Sequence, residues 1–178
     1  MAAIIEAARD PDYPAEIVLV ISNVPDVAGI ERARRAGIET LTIDHRDFSS
    51  RVAFEAELER ALRAANIELI CLAGFMRVLT GDFIAMWQDR ILNIHPSLLP
   101  LFRGLHTHEQ ALAAGVKQHG CTVHFVVPEL DAGPIIAQAE VPVYPRDTVD
   151  VLSARVLAEE NKLYPLALAI VAKSLLPL

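Results

Sequence analysis

Cysteine is scarce: Cys71 and Cys121 are the only two in 178 residues. They sit in apolar surroundings without metal-type spacing. No disulfide framework is expected, and both read as reduced, buried thiols of a cytoplasmic protein. Basic residues are outnumbered as well, with 16 Lys and Arg against 23 Asp and Glu and a net charge of −7. With no basic cluster, nucleic acid is excluded as a partner. Long hydrophobic runs are missing although 53% of the residues are hydrophobic. A membrane helix needs about 18 uninterrupted apolar residues, and the best candidate, Tyr164 to Ala172, stops at Lys173. Glu6 interrupts the apolar stretch that a signal peptide would need. Repeats, low-complexity tracts and linkers are absent too. Residues 1–178 therefore read as one domain, long enough for a full core.

What is present is an alternation. Glu16 to Ser22, Glu39 to Ile43, Leu69 to Ala73, Ile91 to His95, Cys121 to Val127 and Ile135 to Val143 are short apolar runs of strand character. Helical patterns lie between them. "AGIERARRAG" ends at Gly37, the usual C-terminal stop. Ser50 to Asn66 places Phe54, Leu58, Ala61 and Leu62 on one face. "HTHEQALAAG" ends in Gly115, and Thr148 to Lys173 forms a long closing helix that Pro165 should bend. The expected fold is α/β, a mostly parallel doubly wound sheet with helices on both faces. Ligands on such sheets bind outside the carboxyl ends of the strands. Asn93 and His95 lie at such an end, and so does Gly74, which leads into Phe75 to Leu79.

Five of the six histidines fall between His95 and His124. His106 and His108 are two apart, which on a helix turns them to different sides. His119 and Cys121 would lie on opposite sides of a turn. Neither H-E-x-x-H nor C-x-x-C occurs, so no metal is expected. Acid–base chemistry fits the pattern better. In "ILNIHPSLLP" Asn93 and His95 project to the same face of a strand, and Pro96 holds His95 extended. Histidine handles protons near neutral pH. The asparagine amide donates a hydrogen bond without carrying charge, as a developing oxyanion requires. In "ELDAGPII" Asp131 sits in a tight loop shaped by Gly133 and Pro134, a candidate to orient and tune the imidazole. On spacing alone a second reading stays open, in which His95 is a satisfied strand-end histidine and Asp131 a loop carboxylate.

Four segments carry a resemblance: "LAGFMRVLTGDF", "ILNIHPSLLPLFRGLHTHEQAL", "HGCTVHFVVPELDAGPIIAQAEVPV" and "ARVLAEENKLYPLAL". Together they resemble the phosphoribosylglycinamide formyltransferase family through nearly the whole chain. The most specific stretch is "SLLPLFRGLHTHEQAL"; other formyltetrahydrofolate enzymes share the Asn-x-His pair and the later aspartate but differ there. The resemblance implies the formyltransferase fold and transfer of a formyl group from 10-formyltetrahydrofolate to the amine of glycinamide ribonucleotide in purine synthesis. It implies direct attack through a tetrahedral intermediate, without metal, and small molecules as the only partners. By the same resemblance Asn93, His95 and Asp131 are catalytic. Met76, Arg77, Val78 and Leu79 meet the folate pterin, largely through backbone. Arg51 meets the folate's glutamate tail, and Val127, Pro128, Glu129, Leu130 and Asp131 close over the pterin, with Asn93 also at the folate. Leu157, Ala158, Glu159 and Glu160 match a contact to the ribonucleotide. Thr122 stands where some members have serine and keeps the hydroxyl.

The start departs from the family, which opens with an apolar strand and a glycine-rich phosphate loop. Here "MAAIIEAARDPDYPAEIVLVISN" resembles the helix after that loop and the next strand, and no Gly-x-Gly occurs elsewhere. The fold is therefore expected to be N-terminally truncated, and the end at "SLLPL" is short of the family's tail hairpin. A start set too late accounts for this better than a degenerate relative, because the catalytic positions are intact. Two alternatives differ in kind: a formyltetrahydrofolate hydrolase, with water replacing the amine, and a non-catalytic folate-binding relative. Turnover of folate with and without glycinamide ribonucleotide separates all three.

Overall fold

The computed structural model describes residues 1–175. Helix α1, Ala2–Ala7, comes first, and ahead of strand β1, Leu19–Ser22, the described residues hold no other element. Then follow α2 (Ala28–Arg35), β2 (Glu39–Thr42), a single 3-10 turn (His45–Asp47) and α3 (Arg51–Ala64). Next come β3 (Ile70–Leu72), α4 (Gly81–Met86), β4 (Ile91–His95), α5 (Thr107–Ala113), β5 (Gln118–Phe125), β6 (Ile135–Pro142) and α6 (Val149–Leu175). Each expected strand and helix is present, most of them trimmed at the ends. Local chemistry sets several of those ends. The Ser50 hydroxyl accepts from Ala53 N–H at 3.1 Å and starts α3. Gly37 takes φ +77 just past α2, where a side chain would be strained. Helix α4 carried no sequence signal, being one short turn and a half. Its start is fixed by a Thr80 cap that only the fold brings into play. Helix α6 runs as one element through Pro165.

The strands form two sheets, β1-β2 and β3-β4-β5-β6. β1 and β2 pair in parallel, as do β3 and β4. β5 is antiparallel to both its neighbours. In the larger sheet β5 alone is therefore reversed. Apolar layers cover both faces, as a largely parallel sheet requires. Within β4, Ile91 faces a cluster of Leu62, Leu79, Phe83, Ile84 and Trp87, while Leu92 faces the larger cluster built on α6. Alternation along a strand sends neighbouring residues to opposite layers. Tyr164 of α6 donates from its hydroxyl toward Leu72 O at 2.9 Å and Leu92 O at 3.0 Å, bracing β3 against β4.

Between β1 and β3 the sheet is interrupted. Ile21 of β1 and Ile70 and Leu72 of β3 pack on the same apolar cluster. Leu69 and Cys71 on one side and Ile17 on the other meet the opposite cluster. The two strands thus share both covering layers, yet no backbone hydrogen bond joins them among the described residues. Cys71 is consequently half-buried, not buried as expected, while Cys121 is fully buried; both thiols are free. Burial pushes the Cys71 thiol up to about 11. A second correction concerns His119 and Cys121. Both belong to β5, pairing with Val141 and Ala139, so they share a face of one strand instead of flanking a turn.

Candidate active site

β4 and β5 build the centre of the site. The register opposes Asn93 to His124 and His95 to Thr122, so Asn93, His95 and His124 point to one face. The loop from Val126 to Pro134 returns over that face. Phe125 N–H donates to Pro134 O at 2.9 Å and closes it. The closure demands glycine at 133, because a Cβ there would lie 1.8 Å from Phe125 O. Asp131 stands in this loop at φ +48, a left-handed conformation that aspartate tolerates. Its carboxylate comes to 3.4 Å from His95 Nδ1 and 3.7 Å from His124 Nε2. Gly104 N–H donates to the same carboxylate at 2.9 Å.

The imidazoles differ in state. His124 Nδ1 donates to Phe125 O at 2.9 Å, leaving Nε2 to accept from the Asn93 amide at 3.3 Å. Burial holds the His124 pKa below its ordinary value, so the ring is neutral. One N–H of the Asn93 amide is thereby fixed and the other left for a ligand. His95, 5% exposed, has Nε2 on Phe102 O at 2.9 Å and Nδ1 toward Asp131. Behind the site His108 Nδ1 and His119 Nε2 meet at 3.0 Å. Burial lowers both, His119 to about 4. Thr122 pins the connection from His95 to α5: its hydroxyl donates to Ser97 O at 2.7 Å and accepts from Leu99 N–H at 3.1 Å and the Gln138 amide at 2.9 Å.

Asn93, His95 and Asp131 are thus brought together. Val127, Pro128, Glu129 and Leu130 precede Asp131 in the closing loop, with Leu130 exposed. Met76 to Leu79 form an extended stretch after β3. Met76 and Val78 point outward, 79% and 56% exposed, whereas Leu79 is buried and Arg77 leans toward the Phe54 ring. None of the backbone hydrogen bonds outside helices and strands involves residues 74–79, so a polar edge stands open there. Arg51 opens α3 and is exposed. Leu157 and Ala158 are exposed on α6, Glu159 pairs with Lys162 at 2.8 Å, and Glu160 is half-buried with its carboxyl pushed up by that burial. Arg51 and Leu157 to Glu160 share no hydrogen bond or ion pair with Asn93, His95 or Asp131 among the described residues. Sequence reasoning missed His124 and the Gly104 N–H. The histidine cluster and the Arg-Gly turn were visible, but their roles arise from a pairing register and a loop closure. Among the described residues no group of three or more His, Cys, Asp or Glu has the arrangement of a metal site.

Comparison with known proteins agrees with this geometry. The formyl transferase family model matches residues 1–168. The chain is 46% identical over 167 residues to phosphoribosylglycinamide formyltransferase of Escherichia coli, covering 94% of this chain and 79% of that protein. It is 52% identical over 170 residues to the trifunctional purine biosynthetic protein adenosine-3 of Gallus gallus, and spans 17% of that longer protein's length. The crystal structure of phosphoribosylglycinamide formyltransferase from Brucella melitensis superposes with a TM-score of 0.93 at 52% identity, covering 99% of this chain and 91% of that one. The strand-end Asn-x-His pair, the returning aspartate and these relatives converge: the chain belongs to the formyl transferase family, among the phosphoribosylglycinamide formyltransferases.

Proposed function

We propose that this chain transfers the formyl group of 10-formyltetrahydrofolate to the primary amine of glycinamide ribonucleotide. The observation that carries the reading is the joining of Asn93, His95 and Asp131 at the carboxyl end of β4. The open backbone edge of residues 76–79, with exposed Met76 and Val78 on it, fits a flat heterocycle that needs both hydrogen bonds and apolar cover. Arg51 is the cation for the folate's glutamate tail. Half-buried Glu160, with Leu157, Ala158 and Glu159 beside it, receives the ribonucleotide.

When the amine attacks the formyl carbon, negative charge develops on the formyl oxygen. The free N–H of Asn93 donates to that oxygen. The His95 Nε2–H that now donates to Phe102 O is the second donor, so substrate entry exchanges one carbonyl oxygen for another. Asp131 stabilises the charged imidazole from the Nδ1 side. A proton leaves the attacking nitrogen and reaches the departing folate nitrogen through water or His95. No covalent enzyme intermediate is formed, and no metal takes part. The two free thiols suit a reducing cytoplasm.

The test is a spectroscopic assay of 10-formyltetrahydrofolate consumption. Turnover that requires glycinamide ribonucleotide supports the transferase. Turnover with folate alone would make the protein a hydrolase, and binding without turnover a non-catalytic relative.

A further inference from the structure

Among the described residues Glu55 is the one acidic residue buried as a whole, 4% exposed on the inner face of α3. A buried carboxylate is costly unless hydrogen bonds satisfy it. Both oxygens of Glu55 go to a single residue, Thr80. Oε1 accepts from the Thr80 backbone N–H at 2.8 Å and Oε2 accepts from the Thr80 hydroxyl. That hydroxyl also accepts from Phe83 N–H at 3.2 Å, capping α4. Thr80 is therefore held at three points from two helices. It is also the residue at which the open edge of residues 76–79 ends.

Nothing else polar fixes that edge. Among the described residues its backbone makes no backbone hydrogen bond, and the Arg77 Nε is buried without a partner. Phe75 and Leu79 hold it from within by packing on the apolar cluster of α3 and α4. Apolar packing is non-directional and sets depth but not register. A charge-assisted pair of hydrogen bonds sets both distance and orientation. We propose that Glu55 is a positioning residue for the folate co-substrate, fixing the backbone edge of Met76 to Leu79 through Thr80 so that its N–H and C=O groups are preset for the ligand. This rests on the reading of residues 76–79 as the folate contact.

Helix α3 supplies its own control. Glu59, one turn on from Glu55, accepts from Trp87 Nε1 at the far end of α4 and pairs with Arg63 at 2.7 Å. It fastens the same two helices without touching Thr80. Steady-state kinetics of Glu55→Gln, Glu59→Gln, Thr80→Val and Thr80→Ser separate positioning from general support. Glu55→Gln should raise KM for 10-formyltetrahydrofolate about tenfold, with KM for glycinamide ribonucleotide and kcat within about twofold of the parent. Thr80→Val should do the same, Thr80→Ser should restore parent values, and Glu59→Gln should leave the folate KM unchanged. The double variant Glu55→Gln/Thr80→Val should be no worse than either single one, because both break one linkage. If Glu55→Gln does not fold, Thr80→Val, which removes only a hydroxyl, decides the matter. An unchanged folate KM in Thr80→Val, or equal rises for both substrates, overturns the proposal. Val78→Asp tests the underlying reading: no effect on folate KM there removes the folate contact itself, and the role of Glu55 falls with it.

Discussion

The two sheets of this chain are made from similar apolar strands, yet they differ in what they bury. In β3-β4-β5-β6 the inner strands pair on both sides, and His95, Ser97, Thr107, His119, Thr122 and His124 are buried there. In β1-β2 all four residues of β1 are half-exposed and three of the four in β2 are exposed. Most buried polar groups find a hydrogen-bond partner, although His119 Nδ1 has none. The larger sheet supplies such partners, and the chemistry is concentrated there. The smaller sheet shares the same apolar layers but lacks a neighbour toward β3. One half of the molecule is finished around a site, and the other is packed only in part.

The largest effect should come from completing the poorer half. β1 and β3 share both covering layers but do not pair among the described residues. A strand supplied between them would find open backbone edges on both sides. Supplying an apolar strand with a glycine-rich turn at the interruption should bury about four further side chains. At about 1.5 to 3 kcal/mol each, the gain is roughly 6 to 12 kcal/mol, comparable with the whole stability of a domain, about 5 to 15 kcal/mol. Affinity for glycinamide ribonucleotide should rise with it, since backbone N–H groups in such a turn bind phosphate. Equal melting temperatures and equal affinities for the two chains would mean that the interruption is already satisfied.

Next in size are substitutions at the finished site, which should affect rate while the smaller sheet is untouched. His95→Ala should lose on the order of 10² to 10⁴ in kcat, and Asn93→Ala around 10² to 10³. A His95→Ala protein that keeps more than about a tenth of the activity would remove His95 from the chemistry.

These two regions were unequally legible in the sequence. Strand β4 and its Asn93–His95 pair could be read directly, because alternation and Pro96 are local facts. Asp131 could be read as a candidate partner of His95 but not placed beside it, since 36 positions of chain separate them and the closing contacts of Gly104 and Phe125 depend on tertiary structure. His124 was invisible as a partner of Asn93 because the β4–β5 register is long-range. Glu55 reads as one more charge on a charged helix until the fold turns it inward.

A third test uses acid. His119 and His108 titrate below their usual value because of burial, His119 near 4. A histidine with a depressed folded pKa stays neutral in the native state, while the unfolded chain takes up protons below about 6.5. The stability from neutral His119 is therefore fully present above about pH 6.5 and lost as pH falls toward about 4, with half-buried His108 acting in the same direction. Hydrogen exchange should report the loss first at α5 and its contact with β5. The smaller sheet, where His45 bonds to Asn23 on the half-exposed side, should hold its protection over the same range. His119→Gln should flatten the acid response of α5. Uniform loss of protection across both sheets would defeat this account and assign the acid response to the molecule as a whole.

The smallest effect is also the most direct comparison, since it deletes one hydroxyl from each region. Thr122 is fully buried, and its hydroxyl holds Ser97 O, Leu99 N–H and the Gln138 amide. Ser22, at the end of β1, donates to Val24 O at 2.7 Å and accepts from Val24 N–H at 3.1 Å, both at the surface. Thr122→Val keeps the shape but leaves the buried Ser97 O and Leu99 N–H short of a partner, at a cost of about 1 to 3 kcal/mol. Ser22→Ala hands its two partners to water and should cost no more than about 0.5 kcal/mol. Thr122→Val should also slow turnover, because the loop it pins carries Phe102, whose carbonyl holds His95. Chemical denaturation of the two variants reads the difference in midpoint at constant slope. If the two changes cost the same, the distinction between a finished and an unfinished half does not extend to their polar groups, and the concentration of buried histidines in the larger sheet needs another cause.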